Sequence, residues 1–432
     1  MVSTWSSGLT LQPNSNTNET ISPDADSSFT FIDFLPECRD PGGIFSNPEF
    51  ETFRTLIDRA NNWLRVNPKW EIITCESIEF KAKRDDVNSE KMVYLEYGET
   101  STSYIRGLRL WITGGGNEKE KQIGCINIIP EQENDGGIFS SPAFETLDEV
   151  VSGFNKMIQT RPLPGRILTI ESQEMKMKSS LELDPDRSFW VESSTRQKHF
   201  LFVLRIFFEI CDGIPEEIGI TDFTPDTVTR GGVFSLPQYE LFSNVVEKAS
   251  DWCARQTGIR ICNVQSLEIK IKTGRDVDTQ KMDFTEHGGR ATFYVRILRV
   301  AYTKSRDLSN NSFHSSTDLT KLTCKTFVPV QLTTGLFVPE FESLRETKER
   351  IAAWVKATGV KVMSAQTAAL RIMGGGEANH GTEASFTFNQ AERNEYWIFV
   401  IRVYINGHYQ EPPQEMLPFI PDLEDQKCCR IF

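Results

Sequence analysis

Arginine recurs at one place inside four apolar runs. Arg109 stands in YIRGLRLWI (Tyr104–Ile112), Arg205 in FLFVLRIFF (Phe200–Phe208), Arg299 in YVRILRVAY (Tyr294–Tyr302) and Arg402 in WIFVIRVYI (Trp397–Ile405). A guanidinium drawn into such a run must be paired with a carboxylate or offered to an anion, because an isolated buried charge is costly. Glu79, Glu174 and Glu268 keep a matching distance upstream, while Ala369 replaces the acid in the last case. This pattern predicts an ion couple across a sheet, and Glu51, Glu145, Glu240 and Glu342 are rival partners. The functional alternative is an anion-binding arginine in each run.

A second recurring group is the glycine pair: Gly42-Gly43 in GGIFS, Gly136-Gly137 in GGIFS and Gly231-Gly232 in GGVFS. Glycine ahead of a helix can turn bare N–H groups toward an anion. It can equally supply the positive φ of a tight turn. No phosphate-loop or dinucleotide fingerprint accompanies the pairs, which favours the turn. The glycines and the four arginines are the candidate ligand- or partner-binding positions. At the end of the chain, Cys429-Arg430-Ile431-Phe432 fits a prenylation box, with Cys428 available for a second lipid. The stretch before it is acidic, and one lipid chain alone anchors weakly.

Catalytic groupings are absent from the pattern. His199, His287, His314, His380 and His408 share no recurring position and show no metal-ligand spacing. Asp85, Asp86, Asn88 and Glu90 are acidic enough for a cation but lack the spacing of an EF-hand loop. No catalytic residue, metal or cofactor is therefore expected. The formal charge of −13 with no basic stripe argues against nucleic acid. The nine cysteines are scattered, and no secretory leader or long apolar run is present, so reduced thiols in a cytoplasmic protein are expected. Attachment at the cytoplasmic face of a membrane would come only through the C-terminus.

The arginines and glycines belong to a larger recurrence. Each copy opens with a short apolar run ending in proline: FIDFLP (Phe31–Pro36), INIIP (Ile126–Pro130), DFTP (Asp222–Pro225) and TFVP (Thr326–Pro329). An apolar stripe at steps of three and four follows the glycines, as in Phe50, Phe53, Leu56, Ile57, Ala60, Trp63 and Leu64, and predicts a helix. Pro48, Pro142, Pro237 and Pro339 then fall in its first turn, with Ser46, Ser140 and Ser235 as candidate caps. A long strand comes next; its inward positions change parity, which predicts a bulge near Glu76–Ser77 and its counterparts. A shorter strand and the apolar arginine-bearing strand complete the copy.

The expected class is α+β: four tandem βαβββ repeats, each with an antiparallel sheet packed on one helix. The expected divisions are a disordered tail (1–26), repeats at 27–120, 121–218, 219–320 (with a polar linker, 303–320) and 321–410, and a closing strand with tail (411–432). In the last of these PFIPD (Pro418–Asp422) copies an opening strand, and each opening strand is expected to pair with the preceding repeat.

The element order, the bent long strand and the glycine before the helix resemble the cystatin/monellin-like fold. The resemblance implies a sheet wrapped round one helix and, through the first hairpin loop, protease inhibition. Cystatins carry Gln-x-Val-x-Gly in that loop; the matching stretches here are KAKRD, KMKSS, KIKTG and RIMGG. The expected function is a non-enzymatic repeat scaffold presenting related modules to a protein partner. The alternatives are a carrier of a small apolar ligand in a cavity between helix and sheet, and a cystatin-like inhibitor without the usual motif.

Overall fold

A computed structural model describes residues 29–420 apart from 44–45, 83–86, 97–100, 117–118, 135–141, 179–181, 193–196, 213–214, 232–235, 272–276, 287–290, 306–320, 334–339, 373–380 and 390–394. Among these residues the fold is mixed α and β, with four helices and several antiparallel sheets. The first segment holds β1 (Phe29–Phe34), a small hairpin of β2 (Cys38–Asp40) and β3 (Glu49–Phe50), α1 (Phe53–Val66), β4 (Glu71–Ala82), the short β5 (Val93–Glu96) and β6 (Thr102–Thr113). The second holds β7 (Ile123–Ile128), β8 (Gln132–Asn134), β9 (Ala143–Phe144), α2 (Leu147–Thr160), β10 (Gly165–Lys176), β11 (Phe189–Glu192) and β12 (Lys198–Ile210). The third holds β13 (Glu216–Phe223), β14 (Thr227–Thr229), β15 (Gln238–Tyr239), α3 (Phe242–Ala254), β16 (Ile259–Lys270), β17 (Asp283–Glu286) and β18 (Thr292–Ser305). The fourth holds β19 (Leu322–Phe327), α4 (Leu344–Thr358), β20 (Lys361–Ile372), β21 (Phe386–Asn389) and β22 (Glu395–Asn406), with an isolated bridge between Gln331 and Phe341 in place of the hairpin.

The apolar arginine-bearing strand is the centre of each sheet. Along its whole length β6 pairs with β4; on its other side its C-terminal half pairs with β1. Its N-terminal half is met by β11, from the second segment. In the same way β17 pairs with β12, β21 with β18, and β5 of the first segment with β22 of the fourth. No short strand pairs with the central strand of its own segment, and the exchange runs round until the last segment meets the first. Opening strands behave in the opposite way to the expectation: β1, β7, β13 and β19 pair with their own β6, β12, β18 and β22. The free edge of β22 is covered by β5, and Pro418–Ile420 forms no strand.

The helices form where the apolar stripe demands. Phe53, Leu56, Ile57, Ala60 and Leu64 of α1 are buried. They pack with Leu108 and Leu110 and also with Ile123, Leu168 and Phe207 of the second segment. Each helix also bonds to the opening strand of the following segment. The Asn61 side chain exchanges two hydrogen bonds with the Ile123 backbone, at 2.8 and 2.9 Å, and Asn155 does the same with Ile218. Ser250 accepts from the Leu322 amide, and Lys348 donates to the Phe31 carbonyl. The last contact sets α4 against β1, so that Trp111 and Trp354 share one core. Trp354 is fully buried, whereas Trp63 and Trp252 are half-buried. The difference comes from the chain after β22: Tyr409 packs edge-on against Trp354 and Glu411 accepts from its Nε1 at 2.9 Å.

Two local expectations need correction. The helices start beyond the prolines, because the Glu49–Phe50 stretch and its counterparts are held as β3, β9 and β15. The caps are accordingly Thr52, Thr146 and Ser343, the last two in reciprocal capping boxes with Glu149 and Glu346, rather than Ser46; Ser140 and Ser235 lie outside the described residues. The bulge lies between Ile72 and Thr74, Ile167 and Thr169, Ile261 and Asn263, and Val362 and Ser364, earlier than Glu76–Ser77. Thr74, Cys75 and Glu76 are all buried, because neighbouring long strands cover the face turned away from the helix; alternation therefore fails at the wrong place in the sequence.

Tyr94→Pro removes a donor from β5. Hydrogen exchange should then quicken several-fold at Glu395–Ile398 of β22, in keeping with loss of bonds worth about 1 kcal/mol each. Unchanged protection there would show that β5 does not cover β22.

Candidate functional site

The ladder places each recurring arginine between two polar residues. Arg109 lies opposite Asp33 of β1 on one side and Glu76 of β4 on the other; Arg205, Arg299 and Arg402 lie opposite Asn127, Asp222 and Thr326, and opposite Glu171, Gln265 and Gln366. All four are buried, with exposures of 0, 0, 3 and 0%. Arg109 grips Asp33 through Nε and Nη2, both at 2.6 Å, and donates from Nη1 to Thr367 at 2.7 Å. Arg299 grips Asp222 the same way at 2.7 Å and donates from Nη1 to Ser172. Arg205 meets only the Asn127 amide oxygen through Nε, and donates from Nη1 to Ser77 and from Nη2 to the Pro185 carbonyl. Arg402 donates from Nη2 to the Thr382 carbonyl at 3.1 Å, while its Nε and Nη1 have no hydrogen-bond partner.

The expected couples are therefore different ones. Glu79 and Glu268 bind Arg106 and Arg296, their direct neighbours across the ladder, at 2.7 and 3.0 Å. Glu174 faces Phe202 instead. On the helix side, Glu51 binds Arg59, Glu240 binds Lys248, Glu342 binds Arg350, and Glu145 accepts from the Glu131 amide. The missed partners are Asp33, Asn127 and Asp222, with Thr326 at the same place opposite Arg402; their signal is a polar residue shortly before the proline of every opening run.

A closed series of side-chain bonds links the long strands beside the arginines. Glu171 accepts from the amide and hydroxyl of Ser77. Gln265 accepts from the Ser172 amide at 2.8 Å. Gln366 accepts from the Ser266 amide and hydroxyl and returns a bond to its carbonyl. Glu76 accepts from the amide and hydroxyl of Thr367, and also from Trp111 Nε1 at 2.8 Å. Burial pushes the Glu76 carboxyl up to about 7, against the pull of Arg109, the Thr367 amide and Trp111. Glu171 is likewise raised by burial, offset by Arg205 and Ser77.

The helix starts complete the girdle. Asp186 takes the Arg54 amide, Gln280 the Asp148 amide, Glu383 the Ser243 amide and Glu90 the Arg345 amide, at 2.8, 3.0, 2.9 and 3.0 Å. Each capping residue comes from the segment whose short strand is exchanged. Glu90, considered above for a cation, is thus an acceptor at the positive end of α4, where an anion is favoured.

The glycine pairs serve their own turns. Gly42 has φ of +72°, and a Cβ there would meet the Ser46 carbonyl oxygen at 2.6 Å. Its amide donates to Asp40 and that of Gly43 to the Ser46 hydroxyl, so neither amide points at a ligand. Gly231 has φ of +64°. Gly136, Gly137, Gly232, Cys428 and Cys429 lie outside the described residues. Burial raises the thiols of Cys75 and Cys262, and those of Cys125 and Cys253 to about 12, which keeps them protonated at neutral pH. Among the described residues no group of three His, Cys, Asp or Glu is placed to hold a metal ion, and no helix is long and apolar enough to cross a membrane. A pocket of about 250 Å³ lies between the start of α3 and β19, lined by Phe242, Val246, Leu322, Cys324, Thr326 and Glu383 among others.

Two outcomes follow. Asp222→Ala removes the counter-charge of a buried guanidinium and should cost roughly 3–5 kcal/mol in chemical denaturation, more than Asn127→Ala, which removes only a neutral acceptor. The raised Glu76 carboxyl holds a proton in the folded chain that the unfolded chain has released above its ordinary value of 4.5. Stability from this group is complete below about 4.5 and declines as pH rises to about 7, by roughly 3 kcal/mol in all. Glu76→Gln, which copies Gln265 and Gln366, should flatten that decline; an unchanged pH profile would contradict the assignment. Comparison with protein-family models, with curated proteins and with solved structures gives no match to this chain, so its own geometry carries the functional reading.

Proposed function

We propose that the chain is a closed ring of four tandem copies of one βαβββ unit and acts as a non-enzymatic scaffold for protein partners. The buried polar groups favour this reading, since the carboxylates, amides and hydroxyls of the girdle are committed to one another across the long strands. The short hairpin strands are largely exposed, and they differ in residue type from copy to copy: CRD, QEN and TVT in β2, β8 and β14.

The observation that carries the proposal is an exposed apolar group on the third hairpin. Val228 is 64% exposed, and Leu236 and Leu241, on the same hairpin and its exit into α3, are 40% and 41% exposed. Apolar side chains brought together at a surface commonly mark a contact for another protein. The first hairpin carries Arg39 and Asn47 in the corresponding stretch, and the second carries Glu133.

Affinity capture with the full chain should recover a partner that Val228→Glu and Leu236→Glu lose and Arg39→Glu retains. A partner set indifferent to Val228 and Leu236 would refute the third hairpin as the contact. A turnover of any substrate that depends on Glu76 or Glu171 would refute the non-enzymatic reading.

A further inference from the structure

We infer that Arg402 and the pocket beside it form a binding site for a small organic carboxylate with a short apolar tail. Arg109 and Arg299 each hold a carboxylate in a two-pronged grip through Nε and Nη2, and that carboxylate comes from the residue directly opposite on the opening strand. Opposite Arg402 stands Thr326, whose side chain lacks the carboxylate.

The guanidinium has kept its posture. Its Nη2 donates to the Thr382 carbonyl as Arg205 Nη2 donates to Pro185 and Arg299 Nη2 to Thr279. It lies 4.0 Å over Phe242, as Arg205 lies 3.9 Å over Phe53. In that posture Nε points toward the opening strand, where Asp33, Asn127 and Asp222 receive it in the other segments. In Arg402 this Nε has no hydrogen-bond partner, although the residue is 0% exposed. The Tyr404 hydroxyl sits close to Arg402 and Ser266 but meets neither with hydrogen-bond geometry. A buried guanidinium without a counter-charge is destabilising, and a bound anion would relieve it.

The pocket adjoins the residue that stands in the carboxylate's place. Thr326 belongs to both structures: it lines the pocket and faces Arg402 in the ladder. Phe242 likewise belongs to both, lining the pocket and lying under the guanidinium. The walls suit an apolar tail, with Phe242, Val246 and Leu322. Cys324 adds a neutral thiol, since burial pushes it up to about 11. The charged lining residues are Lys321, Glu247 and Glu383, and Glu383 is engaged by the Ser243 amide. A volume of about 250 Å³ limits the guest to a few carbon atoms beyond the carboxylate. A flat carboxylate matches the guanidinium fork as Asp33 and Asp222 do. This inference uses the observed register alone and does not depend on the scaffold reading.

The test uses the full chain with butyrate, acetate and inorganic phosphate as probes, against chloride at equal ionic strength, by thermal unfolding and calorimetry. Butyrate should raise Tm and bind several-fold more tightly than acetate, and acetate more tightly than phosphate. Thr326→Asp places a carboxylate where Asp33 and Asp222 have theirs; it should raise Tm without any ligand and weaken butyrate binding at least about tenfold. Arg402→Met should also abolish binding, and if it fails to fold, Thr326→Asp still decides. No stabilisation by carboxylates over chloride, stabilisation by phosphate alone, or undiminished butyrate binding to Thr326→Asp would each overturn the assignment.

Discussion

The central strand of each sheet has one edge that its own segment cannot cover. Opening strands such as β1 stop at the proline and reach only the C-terminal half of the partner strand. The N-terminal half would expose unpaired N–H and C=O groups, a liability in any sheet. The short strand of the neighbouring segment fills that place, four times round, with β5 covering β22. Other contacts follow from this exchange. The loop before each arriving strand is carried over the helix start and caps it, and the helix in turn rests on the next opening strand. Cohesion is thereby spread over the boundaries between segments, and each four-stranded sheet includes a strand from another segment.

The polar girdle shows how buried charge is met where the long strands of different segments come together. Buried arginine is costly unless its donors are met. In two cases an aspartate on the opening strand supplies the counter-charge, and in all of the first three a hydroxyl from an adjacent segment takes Nη1. Arg205 manages with the neutral Asn127 because Glu171 lies across the ladder from it. Arg402 has Gln366 there and Thr326 opposite, so it has neither carboxylate. The degree of compensation therefore falls in steps around the girdle, and the least compensated position is the one with a pocket at its side.

Much of the local structure is legible in the residues. The apolar stripes give the helices, and the near-continuous apolarity around Arg109 marks a strand buried on both faces. The recurrence of the arginine is visible as well. Its partner is not, because Glu79 has the right charge while Asp33 is distinguished only by its place before a proline. Partner choice among strands is also hidden. Val93–Glu96 shows that a strand exists but nothing local to it says which sheet it joins. The hairpin before each helix is obscured by prolines that suit a helix start equally well, and the bulge by burial from a neighbouring strand that the sequence does not announce.

Ring closure is tested most directly by linking its two ends. Glu96 and Glu395 are register partners across β5 and β22, close enough for cysteines at both places to form a disulfide. Oxidation of the double variant Glu96→Cys, Glu395→Cys, followed by peptide mapping of the monomer fraction, should yield the intramolecular 96–395 link. A monomer in which those two cysteines stay reduced, or a link found only between separate chains, would contradict the closed ring.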